Sequence, residues 1–166
     1  MGKPSIHQFT VKNLKGEEVP LSNYRNKVLL IVNTASECGF TPQLAQLEEL
    51  RNEFLAEGFE VLAFPSNDFG HQEPLNDAGI AKFCSINYDT HFPIFKKVSV
   101  RGEDVSPLFS FLADKSLNGA ISSVPRWNFH KYLINKNGEV VDFFYSFTKP
   151  NSARVKKKIK KLLLYP

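Results

Sequence analysis

Cysteine is scarce in this sequence: 166 residues hold two, Cys38 and Cys84. That excludes a secreted scaffold held together by disulfides. No CxxC pair occurs either, so the chain has no local dithiol. Long hydrophobic runs are missing, and nothing approaches the ~18 consecutive apolar residues of a membrane span. The histidines, His7, His71, His91 and His130, are scattered without the paired spacing of a metal site, so neither a metal nor another cofactor is expected. Repeats, low-complexity segments and Pro/Gly linkers are absent. The N-terminus shows no apolar stretch of signal-peptide type, and Ile6 stands where a myristoylation signal has Ser or Thr. The expectation is one domain over residues 1–166, residing in the cytoplasm without membrane insertion.

Charge of either sign is also modest, at a formal net +4. Much of it lies in Arg154–Leu164, where Val155, Ile159, Leu162 and Leu163 keep helical spacing. The run reads as a C-terminal helix docked by one face with its lysines in water, and no nucleic-acid partner is expected.

What the chain does have is an alternation of elements. Residues 27–33 read as a buried central strand, and Pro42–Glu57 as a helix with Thr41 as its N-cap and Pro42 in its first turn. Gly58 stops that helix, and Phe59–Phe64 reads as a second buried strand parallel to the first. A polar loop (Asn67–Pro74), a weaker helix (Asp77–Asn87) and an extended piece (Ile94–Val100) follow. Ser106-Pro107 opens a further helix to about Lys115. Asn128–Asn135 and Glu139–Ser146 form a hairpin around Lys136-Asn137-Gly138, and the basic helix from Ser152 closes the chain. The sum is an α/β domain.

Cys38 falls on the turn between the first strand and the first helix. There it faces the positive end of the helix dipole, which favours thiolate over thiol. The residues alone leave it either a reactive thiol or a small buried hydrophobe at a strand end. Gln72 lies in the loop after the second parallel strand, and ligands of open α/β sheets gather beyond the carboxyl ends of strands. It is either within reach of Cys38 or solvated surface. Trp127-Asn128 pairs a donor-only indole with an amide that donates and accepts, a combination suited to holding a thiolate. The alternative is a core Trp beside a turn residue.

Three blocks taken together resemble the glutathione peroxidase family: Asn33-Thr34-Ala35-Ser36-Glu37-Cys38-Gly39-Phe40-Thr41, Phe64-Pro65-Ser66-Asn67-Asp68-Phe69-Gly70-His71-Gln72-Glu73-Pro74, and Trp127-Asn128-Phe129-His130-Lys131-Tyr132-Leu133. They stand in the family's order and spacing. The resemblance implies a thioredoxin-like fold, a central mixed sheet flanked by helices. It also implies a catalytic tetrad of Cys38, Gln72, Trp127 and Asn128 that reduces hydrogen peroxide and organic or lipid hydroperoxides through a Cys38 sulfenic acid. Ala81-Lys82-Phe83-Cys84-Ser85-Ile86-Asn87-Tyr88 resembles the segment that carries a resolving cysteine in the family's cysteine-dependent members. That implies a Cys38–Cys84 disulfide recycled by a thioredoxin-like protein or by glutathione. The alternative is a hydroperoxide sensor that relays oxidation to a partner protein through Cys84.

The chain departs from the family pattern at several places. Cysteine stands where some members carry selenocysteine, Ser66 where many have a third cysteine, and Asp68 where Gln is common. Asp68 adds a negative charge near the expected site. Asn118–Arg126 is short, without the longer loop of the tetrameric members, which implies a monomer with an open site.

Overall fold

A computed structural model describes residues 3–164. Its centre is strand β3, Val28–Thr34, in which every residue is buried. A strand reads as unbroken hydrocarbon when both of its faces are covered. Here Val28, Leu30 and Val32 face one apolar cluster, while Leu29 and Ile31 face the other. Strand β4, Phe59–Pro65, runs parallel to β3 in register Val28↔Phe59 through Thr34↔Pro65. On the other side of β3 lies β5, Lys131–Ile134, antiparallel, and outside it β6, Val140–Phe144. The four-stranded order is therefore β4-β3-β5-β6, a mixed sheet as expected.

Helices cover both faces. Helix α1, Gln43–Phe54, and helix α5, Ala153–Leu164, pack Leu44, Leu47, Leu50, Phe54, Val155 and Ile159 into the first cluster. Helix α2, Asp77–Tyr88, buries only Ile80 and Cys84 in it, with Phe83 and Tyr88 half-buried against its edge. Helix α3, Pro107–Ala113, capped by Ser106 Oγ on the Phe109 N–H, fills the second cluster with Leu108, Phe109, Phe111 and Leu112. A short helix α4, Lys115–Asn118, follows it. The basic run behaves as read: Val155, Ile159, Leu162 and Leu163 are docked, and Lys156 pairs with Glu53 at 2.8 Å.

Two details differ from the sequence reading. A small N-terminal hairpin, β1 (Thr10–Lys12) with β2 (Glu18–Pro20), was not foreseen; its strands bury little, so the sequence carries weak alternation there. Thr41 is not the N-cap of α1, because Pro42 occupies that position. Turn bonds from Thr41 N–H to Cys38 O, Gln43 N–H to Phe40 O and Leu44 N–H to Thr41 O wind the chain tightly ahead of the helix. Thr41 Oγ1 is spent one turn earlier, accepting from Cys38 N–H and donating to Ala35 O, both at 2.9 Å.

The hairpin turn at Gly138 also holds the N-terminal segment, since Ile6 N–H donates to Gly138 O at 2.9 Å. Gly138 has φ +79, and a Cβ there would meet Ser5 Oγ and stand 2.8 Å from the His7 ring. Gly102, at φ +84, has open space around the same position. Gly102→Ala is expected to cost only backbone strain, about 1 kcal/mol, and Gly138→Ala about 2–3 kcal/mol, read as a larger drop in urea midpoint.

Candidate active site

The loops after β3 and β4 meet at the end of the sheet. Cys38 lies on the first, is 6% exposed, and its Sγ accepts the Phe40 N–H at 3.3 Å. Gln72 lies on the second, and its carbonyl takes the Glu37 N–H at 2.9 Å, so the residue before the thiol is tied to the Gln72 backbone. Gln72 Oε1 accepts from Asn128 Nδ2 at 3.4 Å, which joins the second loop to the approach of β5. Trp127 packs on Phe69 with ring centroids 5.8 Å apart. A Cβ on Gly70 would lie 3.4 Å from Trp127 Cη2 and 3.6 Å from Gln72 Cγ, so both side chains close around that glycine.

Three of the four expected residues, Gln72, Trp127 and Asn128, are thus brought into one cluster, with Cys38 attached through Glu37. The hydrogen bond to the sulfur comes from the Phe40 backbone; none joins it to the side chains of the other three. Trp127 is not a core tryptophan: it is 36% exposed, whereas Asn128 is fully buried. Among the described residues no protein group accepts the Trp127 Nε1–H or the Gln72 Nε2–H. At Trp127 lies an open groove of about 400 Å³ lined also by Phe40, Arg126, His130, Tyr145 and Phe147.

Comparison with known proteins agrees with this geometry. A family model described as glutathione peroxidase matches residues 6–113. The glutathione peroxidase homolog BsaA of Halalkalibacterium halodurans is 45% identical over 159 residues, 96% of this chain and 99% of that protein. The glutathione peroxidase-like peroxiredoxin HYR1 of Saccharomyces cerevisiae is 45% identical over 138 residues, 83% of this chain and 85% of its own. The crystal structure of Trgpx in apo form superposes with a TM-score of 0.77 at 34% identity, covering 98% of this chain and 97% of that one.

The chain belongs to the glutathione peroxidase family. The fold is the thioredoxin-like one that the resemblance implied.

Other family-block residues have structural tasks that the sequence did not disclose. Asn33, at the end of β3, donates from Nδ2 to Trp127 O (3.3 Å) and Asn128 Oδ1 (3.2 Å), and accepts the His130 N–H on Oδ1 at 3.0 Å. A fully buried amide closing an otherwise apolar strand was the available signal, since such groups must find partners. Lys131 is buried, with Nζ donating to Phe129 O (2.6 Å), Ser146 O (3.3 Å) and Tyr145 O (3.4 Å); burial pushes its ammonium down to about 7. Ser146 O also accepts from Gln43 Nε2, so this cation links β5, the end of β6 and the start of α1. Asp68 is occupied away from the thiol, accepting from Ser99 Oγ, Val100 N–H and Arg101 N–H on Oδ2. Ser66 is fully buried.

Cys84 sits on α2, 5% exposed, in the same apolar cluster as Cys38, and both are free thiols. Burial, with the charge of Glu73 behind it, pushes the Cys84 thiol up to about 12. Helix α2 starts at Asn76, whose Oδ1 caps the Gly79 N–H. Beyond it, Glu48 of α1 accepts from His91 N–H and Phe92 N–H and pairs with His91 Nδ1.

His130 gives the site a measurable pH response. It is 1% exposed and bonded through Nε2 to Ser123 Oγ at 2.9 Å. Burial first, then the charges of Lys131 and Arg126, lower its pKa from 6.5 to about 4. The unfolded chain therefore binds this proton more readily than the folded one. Stability is lost as pH falls below 6.5, with the loss complete near 4, and amounts to about 3 kcal/mol. His130→Phe removes the titration. Between pH 7 and pH 4, wild type is expected to lose about 3 kcal/mol of unfolding free energy relative to the variant in urea titrations, carboxylate effects cancelling in the difference.

Proposed function

We propose that this chain is a thiol-dependent peroxidase in which Cys38, Gln72, Trp127 and Asn128 reduce hydrogen peroxide and organic or lipid hydroperoxides. The observation that carries the reading is the set of donors at one place. A backbone N–H is already on the Cys38 sulfur, and Gln72 Nε2 and Trp127 Nε1 in the adjoining cluster have no protein acceptor among the described residues. Donors held in place before the reaction cost no reorganisation when charge develops.

In the step we assign, the Cys38 thiolate attacks one peroxide oxygen and the O–O bond breaks. The sulfur becomes a sulfenic acid, and the departing oxygen leaves as water or an alcohol after taking a proton. Asn128 fixes the Gln72 amide through its Oε1, leaving the Gln72 N–H groups for the peroxide. The aromatic groove at Phe40 and Trp127 supports acceptance of bulky apolar hydroperoxides. Cys84 then condenses with the sulfenic acid to give a Cys38–Cys84 disulfide and water. A dithiol of the thioredoxin type is the matching reductant, with glutathione the alternative.

That bond closes only with the two Cα atoms within ~7 Å, and a Cys84 held farther off than that reaches Cys38 by partial unwinding of α2. The helix suits this. It buries only Ile80 and Cys84, whereas α1 buries Gln43, Leu44, Leu47, Glu48, Leu50 and Phe54. A helix with so small a buried face opens at low cost. The same burial disfavours relay to a partner protein, since Cys84 is 5% exposed while α2 is intact. The reading takes the protein as a cytoplasmic monomer. The short 118–126 segment supports the monomer, and a chain with only two cysteines supports the compartment. No described helix is long and apolar enough to cross a membrane.

Mass measurement after one equivalent of hydrogen peroxide tests the reading. Wild type is expected to lose two hydrogens as the disulfide closes, and Cys84→Ser to gain one oxygen on Cys38. Wild-type protein that gains oxygen and keeps it would remove the resolving role of Cys84.

A further inference from the structure

Lys131 is a fully buried side chain at the start of β5, opposite Val32 of β3 and Phe144 of β6 in the sheet register. Among the described residues no carboxylate pairs with its ammonium. Its hydrogen bonds go instead to three backbone carbonyls: Phe129 O at 2.6 Å, Ser146 O at 3.3 Å and Tyr145 O at 3.4 Å. An ammonium has three N–H donors and no acceptor, so donors and carbonyls match one for one. Phe129 stands two residues before Lys131, whereas Tyr145 and Ser146 lie just past the end of β6. Each of those two carbonyls has one further partner, Thr148 N–H on Tyr145 O and Gln43 Nε2 on Ser146 O.

The segment held in this way is a wall of the groove at Trp127. Tyr145 and Phe147 line that groove, are 44% and 70% exposed, and stack with ring centroids 5.8 Å apart. Phe40, also in the groove, donates its N–H to the Cys38 sulfur. A neutral amine has only two donors, and its lone pair repels a carbonyl oxygen. Loss of the proton therefore leaves at least one of the three carbonyls without its bond to Lys131. The bond to Phe129 O is the shortest and most local, so the tie given up is one to the 145–146 segment. We propose that the Lys131 ammonium holds Tyr145 and Phe147 in place for bulky hydroperoxides, and that the preference for these over hydrogen peroxide is lost when its proton leaves. The proposal rests on the reading of Cys38 as the peroxide-reactive thiol and names a residue that sets its substrate range. Lys131 acts through the groove wall and is a positioning residue.

Burial brings this proton into the working range, with the ammonium pushed down to about 7. The side chain is thus charged below that pH and neutral above it, and the preference falls as pH rises. The charged and titratable groups on the elements packed against it are His130 and Arg126 before it, the Cys38 thiol after β3, Tyr145 after β6, and Arg154 and Lys158 of α5 over the Phe144 ring. The first turn of α1 carries no acidic residue. His130, lowered to about 4, is neutral throughout the range in which Lys131 titrates.

The test compares two peroxides across pH. Reduced protein is mixed with hydrogen peroxide or with cumene hydroperoxide, a bulky aromatic hydroperoxide, and quenched at intervals for mass measurement. Loss of the reduced species gives a second-order rate constant for each. Their ratio is the readout, because ionisation of the Cys38 thiol acts on both alike. In wild type the cumene-to-hydrogen-peroxide ratio is expected to fall about tenfold from about pH 5.5 to about pH 9, the worth of one hydrogen bond to a charged group. The midpoint should lie at about 7. Lys131→Met keeps the length and loses the charge, and should show the low ratio at every pH. Lys131→Arg, charged throughout, should lack the limb, and it carries the test should Lys131→Met fail to fold. A wild-type ratio that does not change with pH, a limb that persists in either variant, or Lys131→Met with the low-pH ratio of wild type overturns the proposal and leaves Cys38 as the reactive thiol. Wild-type protein in which Cys38 reacts with neither peroxide removes the peroxidase reading itself, and this proposal with it.

Discussion

Asn33 bears three side-chain hydrogen bonds at the end of a strand that is otherwise hydrocarbon up to that point, and the site is assembled on it. β3 is the strand to which both β4 and β5 pair, so a polar group at its carboxyl end can address both neighbours. Its amide fixes the carbonyl of Trp127, the side chain of Asn128 and the backbone of His130. Asn128 in turn orients Gln72, and the Gln72 carbonyl holds the residue before Cys38. Each buried polar group left unpaired in such a chain costs about 1–3 kcal/mol, so the network is held together by the penalty for breaking it.

A second contrast organises the chemistry in time. Cys38, the proposed reactive thiol, precedes a helix that is anchored along its length in the core, which keeps it next to the cluster of donors. The second thiol rides on a helix with two buried residues, bounded by the Asn76 cap and by Glu48 gripping the chain at His91 and Phe92. In the proposed cycle, rigidity serves the peroxide step and local opening of α2 serves the reset.

Most of the framework is legible in the sequence because it is local. The buried strands show as unbroken apolar runs, the helix stop as Gly58, and the late hairpin as Asn137-Gly138. Cys38, Gln72 and Trp127-Asn128 become a candidate site through three blocks that no local pattern connects. What stayed hidden depends on long-range partners. The placing of β5 against β3, the buried cation of Lys131 and the use of Asp68 on residues 99–101 are set by chain segments far apart in sequence. Thr41 looked like a helix cap because its neighbours have helix-start chemistry; tight turns ahead of α1 diverted its hydroxyl to Cys38 N–H.

The central claim is that Cys38 is the group peroxide meets, inside a cluster that includes Trp127. The chain has a single tryptophan, so intrinsic fluorescence reports this place alone. Reduced protein mixed with hydrogen peroxide in a stopped-flow instrument should show a tryptophan fluorescence phase whose rate rises linearly with peroxide, and Cys38→Ser should lack that phase. The same peroxide-dependent phase in Cys38→Ser would contradict the account.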